Sequence, residues 1–113
     1  MKKKGPEQRP GRRLRIIKAL ISSKRYNYSK KVQISIEEGD FELEDIEHCI
    51  LGAELIEKVE PDELGTAIDG CKYTILGEDI EGMSFYTCGK LIRNSNSQML
   101  YFFMTAHAPD QEY

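Results

Sequence analysis

Tryptophan is absent, and the three cysteines form an odd, widely spaced set. Without Trp, the core has to come from Ile, Leu and Val together with the Tyr and Phe residues of the C-terminal third. Cys49, Cys71 and Cys88 contain no Cys-x-x-Cys pair, which argues against a disulfide framework or zinc finger and for reduced core or near-core thiols. Long apolar runs are missing too. Ile16 to Ile21 and Met99 to Met104 fall far short of the roughly 20 residues a membrane helix takes. The lysines after Met1 imitate the charged start of a signal peptide, but Gly5-Pro6-Glu7-Gln8-Arg9-Pro10 stands where an apolar stretch would be needed. The expectation is a soluble cytoplasmic protein.

Acids are nearly missing from the first 31 residues, where Glu7 stands alone against twelve Lys and Arg side chains. Only Lys58, Lys72, Lys90 and Arg93 are basic beyond Lys31, so the net charge of −3 conceals a basic arm ahead of an acidic body. At 113 residues the chain fits one domain that needs no staples.

Residues 1–11 carry Gly5, Pro6, Pro10 and Gly11 among charges and read as a disordered basic tail. The remainder, 12–113, reads as a single α+β domain. Leu14, Ile17 and Ile21, with Leu20 beside them, form the apolar stripe of a first helix over about 12–24, opposite Arg12, Arg15 and Lys18. Asn27 or Ser29 can cap the next turn of the chain. Val32-Gln33-Ile34-Ser35-Ile36 alternates like a strand, although Val32 and Ile36 also make a helical pair. Residues 42–51 predict the clearest helix, with Leu43, Ile46 and Ile50 on one face, acids at its start and Gly52 as a stop. A short strand over 53–59 and a loop over 60–70 come next. Three strands at 71–76, 83–92 and 98–107 with short polar connections then predict antiparallel hairpins. On the last strand Tyr101, Phe103 and Thr105 are expected on one face.

The order of these features resembles a small bacterial family, domain of unknown function 4258. The resemblance runs over about 14–110. It is carried by Ser29, Val32, Ile36, Glu38 and Phe41, then Gly52 or Ala53, Ile56-Glu57 and Pro61-Asp62, and finally Gly70, Gly77 and Met104-Thr105-Ala106-His107-Ala108-Pro109-Asp110. It implies a helix over 29–38 in place of the strand. It also implies a fold similar to the RelE, ParE and barnase-like toxins, with N-terminal helices packed on a C-terminal antiparallel sheet of about four strands. Lys31, Ser35 and His107 replace the family's His, Arg and closing Tyr.

If such a fold cuts RNA without a metal, it needs an acid, a base and cations. His107, whose ordinary pKa of about 6.5 suits proton transfer, is the first candidate, with Tyr101, Tyr86, Thr105 and Lys31 also available and Lys31 as a phosphate contact. Lys2, Lys3, Lys4, Arg9, Arg12, Arg13, Arg15, Lys90 and Arg93 are candidate nucleic-acid contacts. Each has a plainer reading: a surface histidine, solvated lysines, tyrosines that pack between strands. His48, Cys49, Cys71, Cys88 and His107 lack any metal-ligand spacing, so no metal and no cofactor is expected. The partners implied are RNA, a cognate antitoxin or another protein. The alternatives to a toxin-like ribonuclease are a non-catalytic protein-binding module and non-specific nucleic-acid binding through the basic arm.

Overall fold

The computed structural model describes residues 11–108, so the tail expected at 1–11 lies, Gly11 apart, outside the described residues. Helix α1 (Arg12–Ser22) buries Leu14, Ile17, Leu20 and Ile21, the stripe its sequence predicts. It stops before Lys24, which adopts a left-handed φ of 61°. The N–H groups of Lys24 and Arg25 return to the carbonyls of Ile21 and Leu20, closing a turn that usually calls for glycine.

The chain then forms strand β1 (Tyr26–Tyr28) and enters helix α2 (Lys30–Glu37). Ser29 caps α2 by accepting the Val32 N–H at 3.2 Å, and Gly39, at φ 83°, ends it. The period-two pattern at 32–36 is therefore folded as helix. Only Val32 is fully buried there, while Ile34 stays 42% exposed. Helix α3 (Leu43–Gly52) opens with the Glu42 N–H donating to the Asp45 carboxylate at 2.8 Å. The same carboxylate accepts the Ile80 N–H at 3.1 Å, tying the start of α3 to the turn between two long strands of the sheet.

Strands β2 (Lys58–Pro61), β3 (Cys71–Glu78), β4 (Ser84–Arg93) and β5 (Met99–His107) complete a five-stranded sheet in the order β1-β5-β4-β3-β2. The expected α+β class holds, but the sheet is mixed rather than a four-stranded antiparallel one. β1 lies parallel to β5, with Tyr26 opposite Tyr101 and Tyr28 opposite Phe103. The strand expected over 53–59 forms later, at 58–61.

All three helices pack on one face of the sheet, over Tyr73, Ile75, Phe85, Leu91, Tyr101 and Phe103. Close approach is built in at Gly77, where a Cβ would stand 2.3 Å from the Cys49 carbonyl oxygen of α3. It recurs at Gly89, whose missing Cβ makes room for the Tyr101 ring.

One irregularity rearranges β5. Cys88 pairs with Thr105 and Gly89 with Phe103, so Met104 is an extra residue. The bulge reverses the alternation beyond it: Ala106 is buried opposite Thr87, while Thr105 turns to the face without helices. The sequence-based grouping of Tyr101, Phe103 and Thr105 on one face is thereby corrected. The carbonyl of Met104 accepts a 2.9 Å hydrogen bond from the Ser29 hydroxyl, so the bulge also anchors the start of α2.

Candidate polyanion-binding face

Of the candidate residues, Lys2, Lys3, Lys4 and Arg9 lie outside the described region and the others within it. Arg12, Arg13, Arg15 and Lys18 stand on the turns of α1, and Lys24 and Arg25 stand just past its end. Lys30 and Lys31 begin α2. Arg12, Arg15, Lys24, Arg25, Lys30 and Lys31 are exposed, and no acid interrupts residues 11–31. The reason is the amphipathic pattern itself: the stripe that seats α1 on the sheet forces its charged positions outward.

Arg13 and Lys24 meet carboxylates of the body. Arg13 bridges the Asp69 carboxylate and the Tyr73 hydroxyl. Lys24 meets Glu47 at 2.7 Å, and the Tyr26 hydroxyl donates to the same carboxylate. Burial of Glu47 opposes its charge, but these two hydrogen bonds outweigh it and hold the carboxyl below its ordinary value. Burial, then Glu47, pushes the Tyr26 phenol well up, so it remains a donor.

Lys90 is corrected as a phosphate contact. It is 3% exposed and sits 3.1 Å from Asp62, itself buried. Asp62 also accepts the N–H groups of Thr66 and Ala67 at 2.9 and 2.8 Å, which folds the loop 62–70 over the lysine. Arg93 is exposed, and it donates to the Ser97 carbonyl at 2.9 Å in its own hairpin.

The four candidate catalytic residues do not converge. Tyr101 is fully buried on the helix-covered face, and its hydroxyl has no hydrogen-bond partner among the described residues. Burial raises its pKa well above the ordinary value, the wrong direction for a base. Thr105 and His107 share the opposite, helix-free face. The His107 ring packs edge-on against Tyr86 at 5.0 Å, and its Nδ1 lies 3.0 Å from the Ala108 carbonyl oxygen. Lys31 stands on the first turn of α2, its ammonium group without a hydrogen bond or ion pair among the described residues.

A buried phenol without a partner should cost stability. Tyr101→Phe is therefore expected to stabilise the fold by about 1 kcal/mol, raising Tm by several degrees, because it removes a desolvated hydroxyl and keeps the ring. A fall in Tm in a thermal melt would refute that account.

The cysteines behave as expected of packed thiols. Cys49 is buried, and burial pushes its thiol up to about 12, with Thr87 pulling the other way. Cys71 and Cys88 are half-buried and free. Among the described residues no cluster of three or more His, Cys, Asp or Glu could hold a metal, and no helix is long and apolar enough to cross a membrane.

Sequence reading missed the Asp62–Lys90 pair, and Pro61-Asp62, noted only as part of a resemblance, was its one local signal. In comparisons with known proteins, no family model matches the chain, and neither does any curated protein or solved structure.

Proposed function

We propose that this protein binds RNA through its phosphates, along α1 and the first turn of α2, in keeping with its resemblance to family 4258 and to the RelE, ParE and barnase-like toxin folds. The observation that carries the reading is the stretch from Arg12 to Lys31, which contains no acid and leaves Arg12, Arg15, Lys24, Arg25, Lys30 and Lys31 exposed. Phosphate contacts of this kind draw affinity from counterion release and read no sequence. Binding, rather than cleavage, is the activity the residues favour. Tyr101 faces the core, and Lys31 makes no hydrogen bond with Thr105 or His107.

The test is the salt dependence of binding to a labelled single-stranded RNA. With about five phosphate contacts, raising salt from 50 to 200 mM should cost roughly a hundredfold in affinity, using a slope of about 0.7 per contact. Replacing Arg12, Lys18, Lys30 and Lys31 with Gln should flatten that slope while Tm stays within a few degrees. Salt-independent binding, or none at 50 mM, would overturn the reading.

A second reading has its own observation. Leu76, Ile92, Leu100 and Phe102 lie on the helix-free face of the sheet, half-buried or exposed, as a protein partner such as an antitoxin would require. Substituting Phe102→Ser would abolish a protein complex of that kind and leave the salt-dependent RNA binding unchanged.

A further inference from the structure

A groove of about 570 Å³ opens between the end of α3 and the edge of β3. Its apolar walls are Leu55 and Leu76, which remain 41% and 38% exposed. Its rim carries Glu54, Glu57 and Glu78, with His48 held by its Nδ1 at 3.0 Å from the Glu78 carbonyl oxygen. None of the three rim carboxylates has a hydrogen bond or ion pair among the described residues. The last turn of α3 contains no basic residue, so the negative end of its dipole adds to the same field. Lys58, the nearest cation in sequence to Glu57, is already 3.6 Å from Glu60. The groove is thus apolar at its walls and uncompensated at its rim.

The same chain carries a segment of opposite chemistry. Residues 1–10 contain Lys2, Lys3, Lys4 and Arg9 against Glu7, with lysine stems that can lie on leucine side chains while their ammonium groups meet carboxylates.

Reach is sufficient. The segment joins α1 next to Arg13, which is bonded to Tyr73, and Tyr73 precedes the groove-lining Gly77 on β3 by roughly 13 Å at the usual strand rise. Lys2 and Lys4 stand nine and seven residues before Gly11, spans of up to roughly 30 and 23 Å when extended. Tethering also supplies an effective concentration in the millimolar range, which a free peptide lacks.

We propose that residues 1–10 of this chain dock in its own α3–β3 groove, with Lys2 to Lys4 against Glu54, Glu57 and Glu78. The docking does not depend on RNA binding.

Zero-length cross-linking of the full chain tests it. A water-soluble carbodiimide activates a carboxylate, and only an amine in contact with it forms the amide, with net loss of water. Mass spectrometry of the digest should find Lys2, Lys3 or Lys4 joined to Glu54, Glu57 or Glu78, in yields that collapse at 1 M salt, where the Debye length is about 3 Å. The Lys24–Glu47 bridge, at 2.7 Å, is the internal positive control. Mixing isotopically light and heavy chains assigns each cross-link to one molecule or two. Arm-to-groove products within one chain support the proposal. Products joining two chains overturn it in favour of a second copy, and Lys24–Glu47 products without arm-to-groove products overturn it outright.

Discussion

Gly77→Ala should destabilise the protein by about 3 kcal/mol or more, lowering Tm by roughly 10 to 20 °C. The added Cβ would stand 2.3 Å from the Cys49 carbonyl oxygen, 3.0 Å from its carbon and 3.1 Å from its Cα. All three are helix backbone, so no side chain can swing aside. Either α3 lifts from β3, uncovering Ile46 and Ile50, or β3 bends away from β4. Alanine would otherwise gain stability, by about 0.4 to 1 kcal/mol, through restricting the unfolded chain. The clash exceeds that gain severalfold. Gly52→Ala is the matched control, since nothing lies within 4 Å of its missing Cβ. Equal melting temperatures for the Gly77→Ala variant and the parent would show that α3 does not rest on β3 as described.

The Asp62–Lys90 pair should make the largest single contribution to acid sensitivity. Burial works against the Asp62 charge, but hydrogen bonds from the Ala67 N–H, Lys90 and the Thr66 N–H outweigh it and bring the carboxyl down to about 2. Its unfolded-state value is near 3.9, about that of any aspartate. A carboxyl depressed on folding contributes stability that is complete above its unfolded pKa and lost as pH falls through its folded one. The window therefore runs from about pH 4 down to about pH 2. Asp62→Asn should unfold more easily than the parent at neutral pH, because it strands Lys90 in the interior, and should lose less on acidification. Lys90→Met with Asp62→Leu should recover part of the neutral-pH loss, since no buried charge then lacks a partner. Denaturant melts from pH 7 to pH 2 check both. A parent and an Asp62→Asn variant with parallel pH profiles would contradict the assignment.

The parts of this fold that were legible in the sequence are those whose signal is local. α1 shows its stripe at Leu14, Ile17 and Ile21, α3 has its acids and its Gly52 stop, and the strands of the two hairpins alternate between turn residues. Residues 30–37 look locally like a strand, and what makes them helical is partly remote. The Ser29 hydroxyl both caps the helix and donates to Met104 on the far strand. β1 is invisible for the same reason. Three residues, Tyr26 to Tyr28, have no period to read, and their pairing with β5 is an event at long range. The Met104 bulge carries no composition signal, yet it decides which face Thr105 takes and so undoes the expected grouping with Tyr101. The candidate site divides likewise. The basic run is written in consecutive residues, whereas the burial of Lys90 depends on a loop folding back from Asp62.

The parallel pairing of β1 with β5 governs the order in which the protein can be completed during synthesis. Ser29 and Met104, joined across this pairing, are 75 residues apart, and β5 occupies the position between β1 and β4. As the chain leaves the ribosome, α1, α2 and α3 emerge before the strand they cover. β1 has nothing to pair with until β5 is made, and the antiparallel meander β2 to β4 can form with one long edge still bare. The last long strand then inserts between the two, closing the sheet, anchoring α2 through Met104 and burying Tyr101 and Phe103 in one step. Truncated chains that stop in the hairpin before β5 therefore expose the edge of β4 and the apolar undersides of the helices together, so aggregation should rise sharply for any product that ends before Met99.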